Sequence, residues 1–360
     1  MARQARGEYL DPQSNQIVHA ISRCVRRAFL CGNDPYSGKS YEHRRQWIRE
    51  RLEFLASVFA IDCLTYAVLS NHLHLILRSR PDIAETWSDE EVACRWLKLC
   101  PKRKFPNGLP VEPSTYEISE ITNDVERVGQ LRVRLSDISW WMAKTSEKIA
   151  RMSNKEDRCS GRFWEGRYKA QLILDEASLL ACTMYVDLNP IRAALATTPE
   201  DSDYTGAKDR IDDLQCIQPN ERQCPKPQPI QNSERIQPCE KSGWLSPLEI
   251  NEKSDPIGPD ASPCGRRASR KGFLSMSLAR YLELLDWTGR QLRKKKHGAI
   301  PNHLAPVLTR LGIETKGWCE LISRFGRLFK RVTGTSNSVS EEAERRSQNW
   351  LQAPGTSYFG

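Results

Sequence analysis

Residues 70–77, SNHLHLIL, place two of the chain's six histidines inside an apolar run. In an extended strand alternate side chains share a face, so His72 and His74 point together, their Cβ atoms ~6.5–7 Å apart. Two imidazoles at that spacing are able to chelate one metal ion, while Leu73, Leu75 and Leu77 take the opposite, core-facing side. The same H-x-H pattern also fits two rings on a half-exposed surface. A two-histidine site needs further oxygen or nitrogen ligands, and the stretch ACTMYVDLNPIRAAL offers them. At helical spacing Tyr185 and Asn189 fall at i and i+4 on one face, and Asp187 points away. Pro190 disfavours helical geometry at Asn189, so a kink is expected there.

A frame has to hold these groups. Residues 17–23, IVHAISR, read as a strand, and 41–60 as a helix with Trp47, Leu52, Leu55, Val58 and Phe59 among its apolar positions. IDCLTYAVL and HLHLILR read as two strands meeting at a Ser70-Asn71 turn, where Asn tolerates left-handed geometry. Residues 81–135 read as an insertion, with a helix at 90–99 and the Pro/Gly-rich CPKRKFPNGLPVEP. A helix follows, capped by Ser136, with Ile138, Trp141, Met142, Thr145, Ile149 and Met152 on one stripe. GRFWEGRYKAQLIL then reads as a strand and DEASLLACTMYVDL as a helix. The order strand, helix, two strands, helix, strand, helix predicts an α+β domain over 1–205, with helices on one face of an antiparallel, ferredoxin-like sheet.

Beyond Tyr204 the texture changes. Nine prolines between 219 and 263 lie among Gln, Asn, Ser and charged residues, so 206–270 reads as a Pro-rich linker without a core. Over 271–335 two amphipathic stretches predict a small, basic helical domain: Leu278, Tyr281, Leu282, Leu285 and Leu292 on one face, then Trp318, Leu321, Ile322, Phe325, Leu328, Phe329 and Val332 before Gly334 stops the second helix. Arg324, Arg327 and Arg331 occupy that helix's polar face. The tail, 336–360, reads as polar and mobile.

The formal net charge of +9, with an isoelectric point near 9.0, favours a polyanionic partner over an acidic protein. Twelve cysteines without a C-x-x-C pair, behind a start that lacks an apolar h-region, read as reduced thiols of a cytoplasmic protein. No run of ~18 apolar residues predicts a membrane span.

AVLSNHLHLIL, then RFWEGRYKAQLI, then YVDLNPIRAAL resemble in order the motifs of single-tyrosine HUH-type transposases of small insertion sequences, and especially the REP-associated tyrosine transposases. The similarity spans about residues 17–195. It implies a DNA endonuclease and strand transferase with an HUH fold, in which His72 and His74 hold a divalent metal, Mg²⁺ or Mn²⁺, and Tyr185 attacks a DNA phosphate. Asn189 would be the third ligand where many relatives have Gln, keeping the amide oxygen on a shorter arm. The implied partner is single-stranded or hairpin DNA from palindromic repeats, bound by a monomer or by a homodimer that exchanges a helix. The chemistry is coherent by itself. A phenol, with a pKa near ~10, is a poor nucleophile at neutral pH, and a metal that polarises the phosphate compensates. The resulting phosphotyrosine conserves bond energy, so a DNA 3′-hydroxyl can later rejoin strands without ATP.

Arg23, Arg162, Arg167 and Lys169, with Arg26 and Arg27 and the arginines at 324, 327 and 331, are candidate phosphate contacts or ordinary solvated charge. Phe163 and Trp164 would stack on bases or pack in the core, and Tyr66 and Tyr168 read as packed rather than nucleophilic. Cys216, Cys224, Cys239 and Cys264 do not match a zinc spacing, and the basic clusters RRASRKG and RQLRKKKH are charged faces able to grip phosphate. His19, His43, His297 and His303 have no neighbour in sequence and are assigned local roles. Two other readings remain open: a non-catalytic binder of repetitive hairpin DNA, and a structural metal site in a protein unrelated to DNA.

Overall fold

The structure is a computed structural model that describes residues 10–25, 30–34, 37–106, 109–217, 241–250, 258–294, 317–348, 350–353 and 356–359. Its centre is a mixed five-stranded sheet. Strands β1 (Ile17–Arg23), β2 (Ile61–Val68), β3 (His72–Ser79), β4 (Lys169–Ile173) and β5 (Val332–Thr333) lie in the order β2-β3-β1-β4-β5. The first four pair antiparallel, and β5 joins β4 in parallel, so the expected all-antiparallel sheet gains a fifth strand from near the C-terminus. β2 and β3 turn through Ser70 and Asn71, closed by the Leu69 amide on the His72 carbonyl.

Alternation along the strands divides the interior into two cores. On β3, Leu73, Leu75 and Leu77 enter one core while Ile76 enters the other; on β1, Val18 and Ala20 enter the first and Ile17 packs against the second. The first core is covered by α1 (His43–Val58), α2 (Pro81–Thr86), α3 (Asp89–Leu99), α4 (Thr115–Thr122), α5 (Val125–Ser136) and α6 (Ile138–Glu156). The second is covered by α7 (Glu176–Asp187), α8 (Asn189–Arg192), α10 (Leu278–Lys294) and α11 (Trp318–Leu328). The expectation of helices on one face is therefore corrected: both faces are covered.

Several expected boundaries also move. Ser136 closes α5, and the cap of α6 is Asp137, whose carboxylate accepts from the Ser139 amide 2.6 Å away. The expected strand from 161 shortens to 169–173, because Phe163 and Trp164 bury their rings in the first core and the Trp164 indole donates to the Ser146 carbonyl. The last amphipathic helix ends at Leu328 rather than at Gly334, since residues 332–333 extend to pair with β4. In place of a mobile tail, Thr335 caps α12 (Ser336–Arg345), and Phe359 stacks on Phe329 5.6 Å away.

The segment 206–270 also departs from a featureless linker where it is described; residues 218–240 and 251–257, with Cys224 and Cys239, lie outside the described residues. α9 (Gly206–Ile217) packs so closely on β2 that a Cβ at Gly206 would stand 2.1 Å from the Thr65 hydroxyl. Trp244 and Leu245 are buried in the first core and Leu248 in the second. Arg267 donates to the carbonyls of Gly243 and Leu245, while Arg266 and Arg270 pair with Glu53 and Asp260, so this basic cluster grips its own chain.

One buried group here carries a pH signature. Asp209 on α9 accepts from the Tyr66 hydroxyl (2.9 Å) and from Arg49, yet burial outweighs both and pushes its carboxyl up to about 6. A folded value above the unfolded one means that this contribution to stability is complete below pH ~3.8 and lost as pH rises through about 6. Asp209→Asn removes that slope. Denaturant titrations are expected to show wild type gaining on the variant by up to about 3 kcal/mol between pH 7 and pH 4, all other titrating groups being common to both proteins. A difference independent of pH would refute the assignment.

Candidate active site

His72 and His74 project from β3 onto the face that carries the second core, as their spacing requires. His74 is 2% exposed and His72 lies half-buried at the strand's start, with ring centroids 4.8 Å apart. α7 crosses over them. Asp175 caps that helix by accepting from the Ser178 amide, and its residues 177–184 are all buried, so the helix is held on both sides and its end is fixed. Tyr185, in the last turn of α7, sets its ring edge-on to His74 with centroids 5.7 Å apart. The helix breaks at Leu188, and Pro190 sits in the first turn of α8. The Leu188 amide still bonds the Met184 carbonyl, and Asn189 stays on the histidine side with Nδ2 3.3 Å from His74 Nε2. Asp187 points away, accepting from the hydroxyls of Thr65 and Tyr281 in the second core.

His19, expected to serve locally, belongs to this site. It stacks on His74 with centroids 5.2 Å apart and lies 5.9 Å from the Tyr185 ring. Its Nε2 is 2.9 Å from His74 Nδ1 and its Nδ1 is 3.1 Å from Gln171 Oε1. Alternation on β1 placed His19 opposite Val18 and Ala20, but its nearness to His74 follows from strand pairing, which local sequence does not reveal. Burial drives His19 down to about 4, against the hydrogen bond it donates to Gln171, which raises it, and His72 to about 4, helped by the charge of Arg23. His74 is lowered further by burial and by the charges of His19, His72 and Arg192. All three rings are therefore neutral near pH 7, the form in which imidazole is a ligand.

A cavity of about 890 Å³ opens over these groups. Arg23, Arg167, Lys169, Arg324 and Arg327 line it, as does Arg192, which sequence reasoning missed as a site residue. The Arg192 guanidinium lies 4.5 Å from the Tyr185 ring centroid and donates to the Ser323 carbonyl. Phe325 packs 5.4 Å from the same ring. Arg162 and Arg331 are not among the lining residues, and Arg324 is paired with Glu320 at 2.5 Å. Arg26, Arg27, His297 and His303 lie outside the described residues, and His43 pairs with Glu156. The competing tyrosines are engaged elsewhere: Tyr66 with Asp209, and Tyr168 with Ser139 at 3.1 Å.

Two imidazoles on their own suit zinc or another transition metal, and an amide oxygen would add a harder donor. Among the described residues no three His, Cys, Asp or Glu side chains converge as ligands, so the nearest set is the two imidazoles that line the cavity with the Asn189 amide against His74. A structural zinc centre takes four protein ligands; this set leaves positions for water and phosphate oxygens.

No protein-family model and no curated protein matches the sequence. Among solved structures, that of a REP-associated tyrosine transposase bound to a REP hairpin aligns with 66% of this chain and 98% of its own, at 12% identity and a TM-score of 0.33. So loose a superposition transfers neither residues nor activity. No helix among the described residues is long and apolar enough to cross a membrane.

Proposed function

We propose that this chain is a DNA nickase and strand transferase of the transposase type, acting on single-stranded or hairpin DNA through Tyr185. The observation that carries the reading is a convergence. β3 and α7 bring two imidazoles and a phenol into one cavity under a rim of Arg23, Arg167, Lys169, Arg192 and Arg327, and α8 sets the buried Asn189 amide against His74. The sheet order β2-β3-β1-β4 supports the ferredoxin-like core that the motifs imply.

In this reading the rim cations receive the DNA backbone and set its register. Arg192 and Phe325 hold the phenol, with its oxygen free to approach a phosphate seated over His72 and His74. The oxygen forms a bond to phosphorus as the bond to the 3′ oxygen breaks. In net, the phenolic proton goes to the departing oxygen, leaving a 5′-phosphotyrosine and a free 3′-hydroxyl. His72, His74 and Asn189 would hold Mg²⁺ or Mn²⁺, which when bound supplies charge neutralisation on the phosphate. The same groups run in reverse let a 3′-hydroxyl recover the strand.

The test uses the full chain with single-stranded oligonucleotides that form hairpins, labelled at the 3′ end, with Mn²⁺ or with EDTA. A labelled protein band that survives denaturation, appears with Mn²⁺ and is lost with EDTA is the expected result. Tight hairpin binding that ignores the cation and yields no adduct would replace this reading with that of a non-catalytic binder.

A further inference from the structure

The buried chain Gln171, His19, His74, Asn189 runs across three strands to α8 and meets the cavity at His74. Its register explains it. Gln171 is the direct cross-strand partner of His19 on β4, and His74 faces Ile21 on β3, which makes it a diagonal neighbour of His19 on the same face. Three contacts link the groups: Gln171 Oε1 to His19 Nδ1 at 3.1 Å, His19 Nε2 to His74 Nδ1 at 2.9 Å, and His74 Nε2 to Asn189 Nδ2 at 3.3 Å. His19 and Gln171 are buried, and neither touches the cavity.

A neutral imidazole has one N–H and one lone pair, so such a chain has only two self-consistent polarities. In one, the Gln171 oxygen accepts from His19 Nδ1–H, His19 Nε2 accepts from His74 Nδ1–H, and the His74 Nε2 lone pair faces Asn189. In the other, each proton moves to the opposite nitrogen, and His74 Nε2 carries hydrogen. Only the first leaves His74 able to hold a cation on the side of Asn189. The two amides that end the chain match the first polarity: Gln171 presents its oxygen, which can only accept, to His19 Nδ1, and Asn189 presents Nδ2, which can only donate, to His74 Nε2.

We propose that His19 and Gln171 are positioning residues that hold His74 in its Nδ1–H tautomer and so keep the Nε2 lone pair on the side of Asn189. Partners of this kind fix both ring orientation and tautomer of a ligating histidine, and their loss elsewhere weakens metal binding by roughly 10- to 100-fold. His19 is not itself a ligand, since it is fully buried and does not line the cavity, whereas His74 does. The proposal rests on the reading of His72, His74 and Asn189 as the cation site.

The full chain, labelled with ¹⁵N-histidine and free of metal, gives ring ¹H–¹⁵N spectra that assign the protonated nitrogen of each imidazole. Wild type is expected to show His74 protonated at Nδ1. His19→Leu and Gln171→Leu are expected to lose that signature, and Mn²⁺ affinity measured on protein alone is expected to fall by roughly 10- to 100-fold. Should His19→Leu not fold, Gln171→Leu, which leaves both imidazoles in place, carries the test. His74 protonated at Nε2 in wild type, or Mn²⁺ affinity unchanged in a folded variant, overturns the inference while His74-dependent Mn²⁺ binding stands. If His74→Ala leaves Mn²⁺ binding untouched, the cation site falls and the proposal with it.

Discussion

Tyr185→Phe is expected to yield no covalent DNA adduct, a loss of at least ~10⁴-fold in the rate of strand cleavage, on the scale found when an enzyme's nucleophile is removed. The substitution takes away one oxygen and keeps the ring. The ring makes the packing: Phe325 on one side, the Arg192 guanidinium over its face and His74 at its edge. Hairpin binding is therefore expected to stay within about twofold of wild type, since the rim cations that meet the backbone are untouched. No other tyrosine described near the sheet substitutes for it. The Tyr66 hydroxyl bonds Asp209, that of Tyr281 bonds Asp187, and Tyr168 lies in the opposite core. The 3′-labelled oligonucleotide resolves the outcome on a denaturing gel, and an adduct persisting in the variant would move the nucleophile away from Tyr185.

Local pattern carried the strands and the pairings within one element. Alternation placed β1, β2 and β3 within a residue or two of their observed limits, and put His72 and His74 on one face. The i, i+4 spacing placed Tyr185 and Asn189 together despite the break at Leu188. What local pattern could not carry is which surfaces meet. His19 lies 55 residues from His74, and Gln171 lies 152 from His19, so their contacts exist only through strand pairing. α11 shows the same gap: its apolar face was legible, but not that it would lie on α7 instead of in a domain of its own. One signal did point there. α7 is apolar all round, from Leu179 and Leu180 to Cys182 and Met184, and such a helix needs a second cover besides the sheet.

That second cover leads to the other large effect. Gly326 on α11 faces the nucleophile so closely that an added Cβ would lie 2.6 Å from the Tyr185 hydroxyl oxygen and 3.2 Å from the ring carbon bearing it. Something has to shift, and the atom in the way is the far end of a side chain, not backbone. Ala also favours a helix interior over Gly by about 1 kcal/mol, which offsets part of the contact. Gly326→Ala is therefore expected to melt within a few degrees of wild type while displacing the phenol by about an ångström, a misplacement that costs on the order of 10²-fold in rate. Single-turnover adduct formation measures the loss, and metal-free hairpin binding, expected to be unchanged, separates it from substrate affinity. A double-mutant cycle with Tyr185→Phe isolates the cause: removing the oxygen removes the closest contact and leaves the 3.2 Å approach to the ring carbon, so Gly326→Ala should cost less melting temperature in the Tyr185→Phe background than in wild type. An undiminished rate in Gly326→Ala would mean that α11 leaves the phenol before reaction, and the wall formed by Ser323, Phe325 and Arg327 would then belong to the resting chain rather than to the working site.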